Sequence, residues 1–323
     1  MTVIRSCCLV LIVLATALPA VAQTWPDHPV RVVVPFPAGT TPDLVTRLLS
    51  PGWSEAFGQS FIVDNRSGAG GNIGTDAVAK AKPDGYTLLL GSNGPIANNK
   101  ALYDNLPYDP ERDLAPIILM VRAPQILAIN DAVPARDFAA FVAYVKANPG
   151  KLSYGSVGSG SASHLTMEEL KRHAGLDIVH VPYRGFPAVT TDLIAGQIHA
   201  TIAIAAAVLP HIQGGRLRGL AATSVRRSTV APDLPSVGEL KLPELESYAW
   251  QGLLAPAGTP PALIARLNAE TVKQLRRPEV HDALVRQGYE VIGDTPESYA
   301  AFIRAETAKW SAVIKRTGAK AEQ

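Results

Sequence analysis

Short apolar runs alternate along the chain with segments whose apolar residues recur at helical spacing. The β-branched run at 30–36 predicts a buried strand. Apolar residues then recur three or four positions apart between 44 and 57, which predicts an amphipathic helix. Thr41 is the predicted N-cap of that helix, and Pro42 its predicted first residue. The segment as a whole predicts a strand, a Gly/Thr loop and a helix.

The same alternation continues to the end of the chain. Further strands are predicted at 61–65, 87–91, 117–121, 125–129, 151–154, 178–183, 199–204, 217–222 and 289–292. Further helices are predicted at 77–81, 138–146, 165–173, 189–195, 261–275, 279–287 and 296–315. This order is typical of an α/β protein with largely parallel sheets. Two strand–loop–helix units, at 30–57 and 151–173, predict two similar lobes.

The first residues predict a secretory signal and not a part of the fold. Arg5 precedes an apolar run at 9–15, and Ala20-Val-Ala22 matches the pattern before a cleavage point. We therefore expect residues 1–22 to be removed before Gln23. The alternative, a retained membrane anchor, is disfavoured because the run is short for a bilayer. Both cysteines, at 7 and 8, fall inside this signal, so the mature chain is expected to lack disulfides. An exported chain without disulfides is typical of the bacterial periplasm.

Charge and composition exclude some classes of partner. The net charge is +2, and no run of Lys and Arg indicates nucleic-acid binding. About 300 residues remain after the signal, enough for two domains. A hydrophobic content of 47% is typical of a globular protein, which we expect to be a monomer.

The stretch SYGSVGSGSASHL, at 153–165, is the strongest candidate for a binding loop. It follows a predicted strand and precedes a predicted helix. The first amides of a helix lack intrahelical acceptors and lie at the positive end of the helix dipole. Such a loop can hold a carboxylate or a phosphate. Two such loops across a cleft could hold a molecule with carboxylates at both ends; a pair of ordinary βα turns remains the alternative. The candidate donors are Gly39, Thr40 and Thr41 in the first loop, and Ser156, Gly158, Ser159, Gly160 and Ser161 in the second.

Other chemistries have weak support. Gly158 and Gly160 resemble a dinucleotide fingerprint, but Ser163 occupies the third glycine position, and no Walker A motif occurs. Ser161 and His164 are close in sequence, yet no serine has the G-x-S-x-G context of a hydrolase. The seven histidines form no H-x-x-x-H or H-E-x-x-H pair. We therefore expect no catalytic residue, no metal and no cofactor.

Asp43 and His164 each have two possible roles. Asp43 begins the first predicted helix, where it either caps the helix or shapes the loop and touches the ligand through water. His164 either reaches the ligand loop or serves capping and core packing.

A series of motifs in order resembles one family over nearly the whole mature chain. The motifs are VPFPAG at 34–39 followed by Asp43, GAGGNIG at 68–74, PDGYTLL at 83–89, NPGKLSYGS at 148–156, GSGSASHL at 158–165, HVPYRG at 180–185, PSVGE at 235–239 and WQGLLAPAGTP at 250–260. They resemble the Bug receptors (Bordetella uptake gene family), the solute receptors of tripartite tricarboxylate transporters.

The resemblance implies a two-lobed periplasmic binding protein of type II-like fold that closes on a small carboxylate. It implies a first lobe at 23–122 and 225–323, a second lobe at 123–224, and crossing strands near 117–129 and 217–224. The implied site comprises Phe36, Ala38, Gly39, Thr40, Thr41, Asp43, Ser92, Asn93, Ser156, Gly158, Ser159, Gly160, Ser161 and His164. One departure concerns Thr40, since the family usually has a second glycine there; its side chain could narrow the pocket or add a hydroxyl donor.

The expected function is a non-enzymatic periplasmic receptor that passes a small carboxylate to integral-membrane transporter subunits. Two alternatives remain open at this point. An exported α/β hydrolase or transferase is disfavoured by the missing nucleophile and metal motifs. A periplasmic sensor that presents its ligand to a signalling kinase would keep the same fold.

Overall fold

A computed structural model describes residues 25–320, so the predicted signal lies outside the described residues. The first part comprises β1 Val30–Val34, α1 Thr41–Phe57, β2 Phe61–Asn65, α2 Asn72–Ala79, β3 Thr87–Ser92, α3 Asn99–Leu102, α4 Pro110–Asp113 and β4 Leu114–Asn130. The middle comprises α5 Phe138–Ala147, β5 Ser153–Ser156, α6 Ala162–Ala174, β6 Val179–Pro182, α7 Phe186–Ile194, β7 Ala200–Ile204, α8 Ala205–Gln213 and β8 Leu217–Ala222. The last part comprises β9 Tyr248–Pro256, α9 Pro261–Arg276, α10 Pro278–Arg286, β10 Glu290–Val291 and α11 Pro296–Thr317.

The strands form one curled mixed sheet with the order β2-β1-β3-β9-β4-β7-β5-β6, and β8 and β10 also pair with β4. Neighbours β2, β1 and β3 are parallel, as are β7, β5 and β6, whereas β9 is antiparallel to β3 and to β4. Helices flank both parallel groups, as the alternating pattern predicts. The two parallel groups are the cores of the two lobes.

Strand β4 joins the lobes. Its first part, up to Pro124, pairs with β9, and its second part, from Gln125, pairs with β7 and β8. The sequence predicted two separate runs around Pro124, and that prediction was wrong. Pro124 lacks an N–H group, but it lies where the pairing partner changes, so the strand continues through it.

Four elements were missed by the sequence analysis, namely strand β9, helix α8 and the four-residue helices α3 and α4. Strand β9 contains Gly252, where a Cβ atom would lie 2.3 Å from the Tyr299 ring, so close packing and not strand propensity explains this residue. Helix α8 is short and contains Pro210, which weakens its helical signal. The start of α1 also differs by one position, since Thr40 is the N-cap and Thr41 the first helical residue.

Separate apolar clusters form the interiors of the lobes. One cluster joins α1, β1, β3 and the first part of β4, and includes Val32, Trp53 and Leu88. A second joins α5, β5 and α6, and includes Phe141 and Tyr154. Residues 237, 242 and 245 pack into the second cluster. The division into lobes remains a prediction, and this packing moves our proposed return point from 225 to the start of β9.

Helix α6 of the second lobe also contacts the first lobe. Leu165 packs with Trp310, Val313 and Ile314 of α11. The buried carboxylate of Glu169 accepts a hydrogen bond from Arg316 of α11 at 3.1 Å. These contacts fix the start of α6, and the loop before it, against the C-terminal helix.

Candidate functional site

The loops that follow β1, β2, β3, β5, β6 and β7 open onto one cleft of about 1500 Å³. Carboxyl ends of parallel strands meet at one edge of a sheet, which is where α/β proteins bind ligands. Nine of the predicted site residues line the cleft: Phe36, Gly39, Thr40, Thr41, Ser92, Asn93, Gly158, Ser159 and Ser161. The structure therefore brings both predicted loops and the end of β3 together.

The cleft lining does not include the other five predicted site residues, which are Ala38, Asp43, Ser156, Gly160 and His164. Ala38 is exposed, whereas the other four make hydrogen bonds within the loops. Ligand contact by the predicted residues stays a prediction, and for these four the structure adds a supporting role within the loops. Hydrogen bonding within a loop cannot be read from the spacing of a motif.

Asp43 holds the first loop in place. Its buried carboxylate accepts hydrogen bonds from the Gly39 amide at 2.9 Å, from Arg47 at 3.0 Å and from Asn65 at 2.9 Å. Burial alone would raise the pKa of Asp43, but these hydrogen bonds outweigh it and keep that pKa below its usual value. Asp43 is therefore ionised at neutral pH, and its carboxylate stabilises the first loop by accepting a hydrogen bond from the Gly39 amide.

Ser161 and its neighbours shape the second loop. Ser161 caps α6, because its hydroxyl accepts from the His164 amide at 3.3 Å and donates to the Gly158 carbonyl at 2.6 Å. Gly158 has a φ of +107°, which favours glycine. The Ser156 hydroxyl accepts from the Gly158 amide at 3.2 Å and contacts His180 Nε2 at 2.7 Å. The loop is thus rigid before any ligand arrives.

His164 lies beneath the second loop. Its Nδ1 accepts a hydrogen bond from the Gly160 amide at 3.2 Å, and its ring stacks on His180 with centroids 4.3 Å apart. Burial, with the nearby charges of His180 and Lys171, lowers the pKa of His164 to about 3. His164 is therefore uncharged near neutral pH and serves as a structural hydrogen-bond acceptor.

The Gly160 carbonyl connects the second loop to the first lobe. It accepts a hydrogen bond from Asn98 Nδ2 at 2.6 Å. The adjacent Asn99 donates to Asn72 Oδ1 at 2.6 Å and to the Gly70 carbonyl at 3.3 Å. Tandem asparagines thus link the Gly-rich turn after β2 with the Gly/Ser loop after β5, across the cleft.

The electrostatics of the cleft favour an anion. Helices α1, α6, α7 and α8 all begin at it, and the first-turn amides of a helix have no intrahelical acceptor. Among described residues, its lining includes no Asp, Glu or Lys, and its charged side chains are Arg184 and Arg216. The positive ends of four helix dipoles and two guanidinium groups therefore face the cleft, where they would attract an anionic ligand.

Several lining residues were missed by the sequence analysis. Two of the lining segments belong to motifs that were noted but not assigned to the site, namely residues 68–71, which follow β2, and residues 183–186, which follow β6. The βα position was the signal that could have found them. Gln251 and Tyr289 also line the cleft, and no local pattern indicates them. Long-range pairing of β9 with β3 and β4 places Gln251 there, whereas Tyr289 directly precedes β10, which pairs with β4.

No metal site or membrane span accompanies the cleft. Within 25–320, no three His, Cys, Asp or Glu residues cluster closely enough to hold a metal ion. In the same range, no helix has the length and apolar character needed to cross a bilayer.

Thr40 stands where the resemblance leads one to expect glycine. Its hydroxyl donates to the Pro37 carbonyl at 2.6 Å, so it stabilises its own loop. We expect Thr40→Gly to lower the free energy of unfolding by about 1 kcal/mol, through the lost hydrogen bond and a more flexible unfolded chain. Urea unfolding of both proteins measures this difference. The conservative Thr40→Ser variant retains the hydroxyl and should unfold close to wild type; equal stability of all three would contradict this role.

Comparisons with known proteins agree with this geometry. A family model described as tripartite tricarboxylate transporter family receptor (TctC) matches residues 45–319. Protein BugT of Bordetella pertussis is 38% identical over 305 residues, which cover 94% of this chain and 94% of that protein.

Solved structures extend the comparison to the fold. A structure of R. palustris Rpa4515 with adipate has a TM-score of 0.85 and 36% identity, covering 92% of this chain and 99% of that one. MatC from Rhodopseudomonas palustris with bound malate has a TM-score of 0.83 and 31% identity, covering 90% and 100%. The chain therefore belongs to the tripartite tricarboxylate transporter receptor (TctC) family, a family of two-lobed periplasmic solute-binding receptors, including the Bug proteins, that are not enzymes.

Proposed function

We propose that this receptor binds a small carboxylate in its cleft and delivers it to the membrane subunits of a tripartite transporter. One observation carries the proposal: helix starts and hydroxyl-bearing loops from both lobes converge on a cleft whose described lining lacks acidic side chains. Carboxylates pair well with exposed helix amides. Similar proteins support this ligand class, since the structures compared above contain adipate and malate.

Each loop holds one side of the ligand. The Gly39, Gly158 and Gly160 amides are already bonded within their loops. The first lobe therefore presents the start of α1 near Thr41, and the second lobe presents the start of α6 near Ala162 and Ser163. A carboxylate between them would contact both lobes, so binding favours the conformation in which the lobes are close. Both lobes share strand β4, so the lobes would move relative to each other about this strand. The membrane subunits can then distinguish a loaded receptor from an empty one.

Ligand binding is tested by thermal unfolding of the mature protein after removal of any copurified ligand. We expect a dicarboxylate such as succinate to raise the melting temperature, because a ligand at one hundred times its Kd stabilises by about 2.7 kcal/mol. The matched control is succinamide, which has the same skeleton without charge and should give little shift. Equal shifts with acid and amide, or no shift across mono-, di- and tricarboxylates, would contradict a carboxylate site.

Delivery to the transporter needs its own experiment. In cells that depend on the transporter, deletion of this chain should abolish uptake of the radiolabelled carboxylate, and the full chain should restore it. Undiminished uptake combined with lost ligand-dependent gene induction would instead indicate a sensor that reports to a kinase.

A further inference from the structure

A buried amide in the cleft has one atom that makes no hydrogen bond. Gln251 lies in β9, paired with Ser92 of β3 and Val121 of β4, and it is 4% exposed. Its Nε2 donates to the Tyr289 hydroxyl at 3.2 Å, whereas its Oε1 receives no hydrogen bond from residues 25–320. A buried carbonyl oxygen without a donor is costly, so this oxygen calls for a hydrogen-bond donor from outside the described chain.

The partner of this oxygen has to come through the cleft. Gln251 lies in the interior of the sheet, with neighbouring strands on both sides, and it lines the cleft. Gln125 of β4 provides a comparison, since it also lines the cleft and is 1% exposed. The Oε1 atom of Gln125, however, accepts from the Ser247 hydroxyl at 3.3 Å. Of the two buried glutamines that line the cleft, Gln251 therefore has the side-chain oxygen without a hydrogen-bond donor, and Gln125 does not.

Tyr289 adds a donor beside this acceptor. Burial raises the pKa of Tyr289, although hydrogen bonds with Gln251 and Thr41 lower it, so the phenol stays protonated at neutral pH. Its oxygen already accepts from Gln251, and its proton can be donated either to Thr41 or to a ligand hydroxyl. An alcohol both donates and accepts, so one hydroxyl can bond to Gln251 Oε1 and to the Tyr289 O–H group. A plain methylene group can satisfy neither.

The charge of the cleft decides between possible donors. An ammonium group could also donate to Gln251, but the described lining contains no Asp or Glu to balance it. A buried cation without a counter-ion is far more costly than a buried hydroxyl. The geometry therefore favours a neutral donor on a ligand whose own charge is negative.

We propose that Gln251, together with Tyr289, is a specificity-determining residue that recognises a hydroxyl group on the carbon skeleton of the bound carboxylate. The ligand class of this receptor is then the hydroxycarboxylates. This inference rests on the proposed function, because it assumes that a carboxylate occupies the cleft.

The experiment compares acids that differ only by a hydroxyl: malate with succinate, and 2-hydroxyglutarate with glutarate. Isothermal titration calorimetry gives the Kd of each for the wild-type receptor and for Gln251→Met, which keeps the length of the side chain and removes its acceptor. We expect the wild type to prefer the hydroxylated acid by about 10-fold in at least one pair, since unmet buried polar groups penalise the analogue. In Gln251→Met this preference should fall below about 3-fold, mainly through weaker binding of the hydroxylated acid.

Gln274→Met is the matched control, because Gln274 is also a buried glutamine, 6% exposed, but does not line the cleft; it should leave the ratio of the two Kd values unchanged. Equal wild-type affinities within both pairs would overturn the inference without touching the proposed function. A preference that survives in Gln251→Met would also overturn it. Failure of all four acids to bind would overturn this inference; the proposed function falls with it only if the mono-, di- and tricarboxylates tested by thermal unfolding fail as well.

Discussion

Replacing Gly160 with alanine weakens carboxylate binding by at least about 30-fold and lowers the free energy of unfolding by about 3 kcal/mol. Gly160 has a φ of +80°, which is strained for alanine. The new Cβ would lie 2.7 Å from Leu102 Cδ2 and 2.9 Å from Asn99 Oδ1. Either these two side chains or the Gly/Ser loop must then shift. Because Leu102 and Asn99 are both buried, we expect the loop to move away from the first lobe and to displace the amides that face the ligand. Calorimetric titration with the ligand and urea unfolding measure the two effects.

Gly175→Ala is the matched control for this variant. Gly175 ends the same helix, α6, with a φ of +63°, but no atom lies within 4 Å of the position of its Cβ. Alanine there carries the backbone strain without a collision, so stability should fall by about 1 kcal/mol while the Kd stays near wild type. If the two variants bind ligand equally well, the fixed position of the Gly/Ser loop is not needed for binding.

Acidification from pH 7 to pH 5 lowers the free energy of unfolding by about 2 kcal/mol, largely through His164. The pKa of His164 is about 3 in the folded protein, against an ordinary value of 6.5. Below pH 6.5 the unfolded chain therefore binds a proton that the folded chain does not, and stability falls until the pH approaches 3. Asp43 and Glu169 also have lowered pKa values, but as carboxylates they affect stability only at lower pH. Urea unfolding at a series of pH values measures the slope.

A variant separates His164 from the other histidines. His164→Asn keeps an acceptor near the Gly160 amide and removes the titrating ring, so its stability should change little between pH 7 and pH 5. Burial and Arg216 also lower the pKa of His211, but His211 is only partly buried, so His211→Asn should keep most of the wild-type slope. A wild-type slope in His164→Asn would assign the effect to another group.

The two predicted binding loops could be located from the sequence because their signals are local. A strand, a loop of Gly with Thr or Ser, and a helix occur in immediate succession around Gly39 and again around Gly158. The order of motifs added the family and hence the two-lobed arrangement. What the sequence could not show is which residues of a loop face outward, since Asp43 and His164 turn inward to satisfy backbone amides.

The rest of the site depends on contacts between distant segments. Gln251 reaches the cleft because β9 inserts between β3 and β4, and Tyr289 reaches it because it directly precedes β10, which pairs with β4. These pairings join residues more than 100 positions apart. Pro124 suggested a break in β4 because local propensity disfavours proline in a strand, yet its position at the change of partner removes the penalty. Asn98 reaches Gly160 across the lobes in the same way.

The central claim is that the Gly/Thr loop and the Gly/Ser loop together hold a carboxylate. A crystal structure of the mature receptor with its tightest-binding carboxylate tests this most directly. The account predicts carboxylate oxygens within hydrogen-bonding distance of amides or hydroxyls at both 39–41 and 158–163. A ligand whose carboxylates contact Arg184 or Arg216 and neither loop would contradict it.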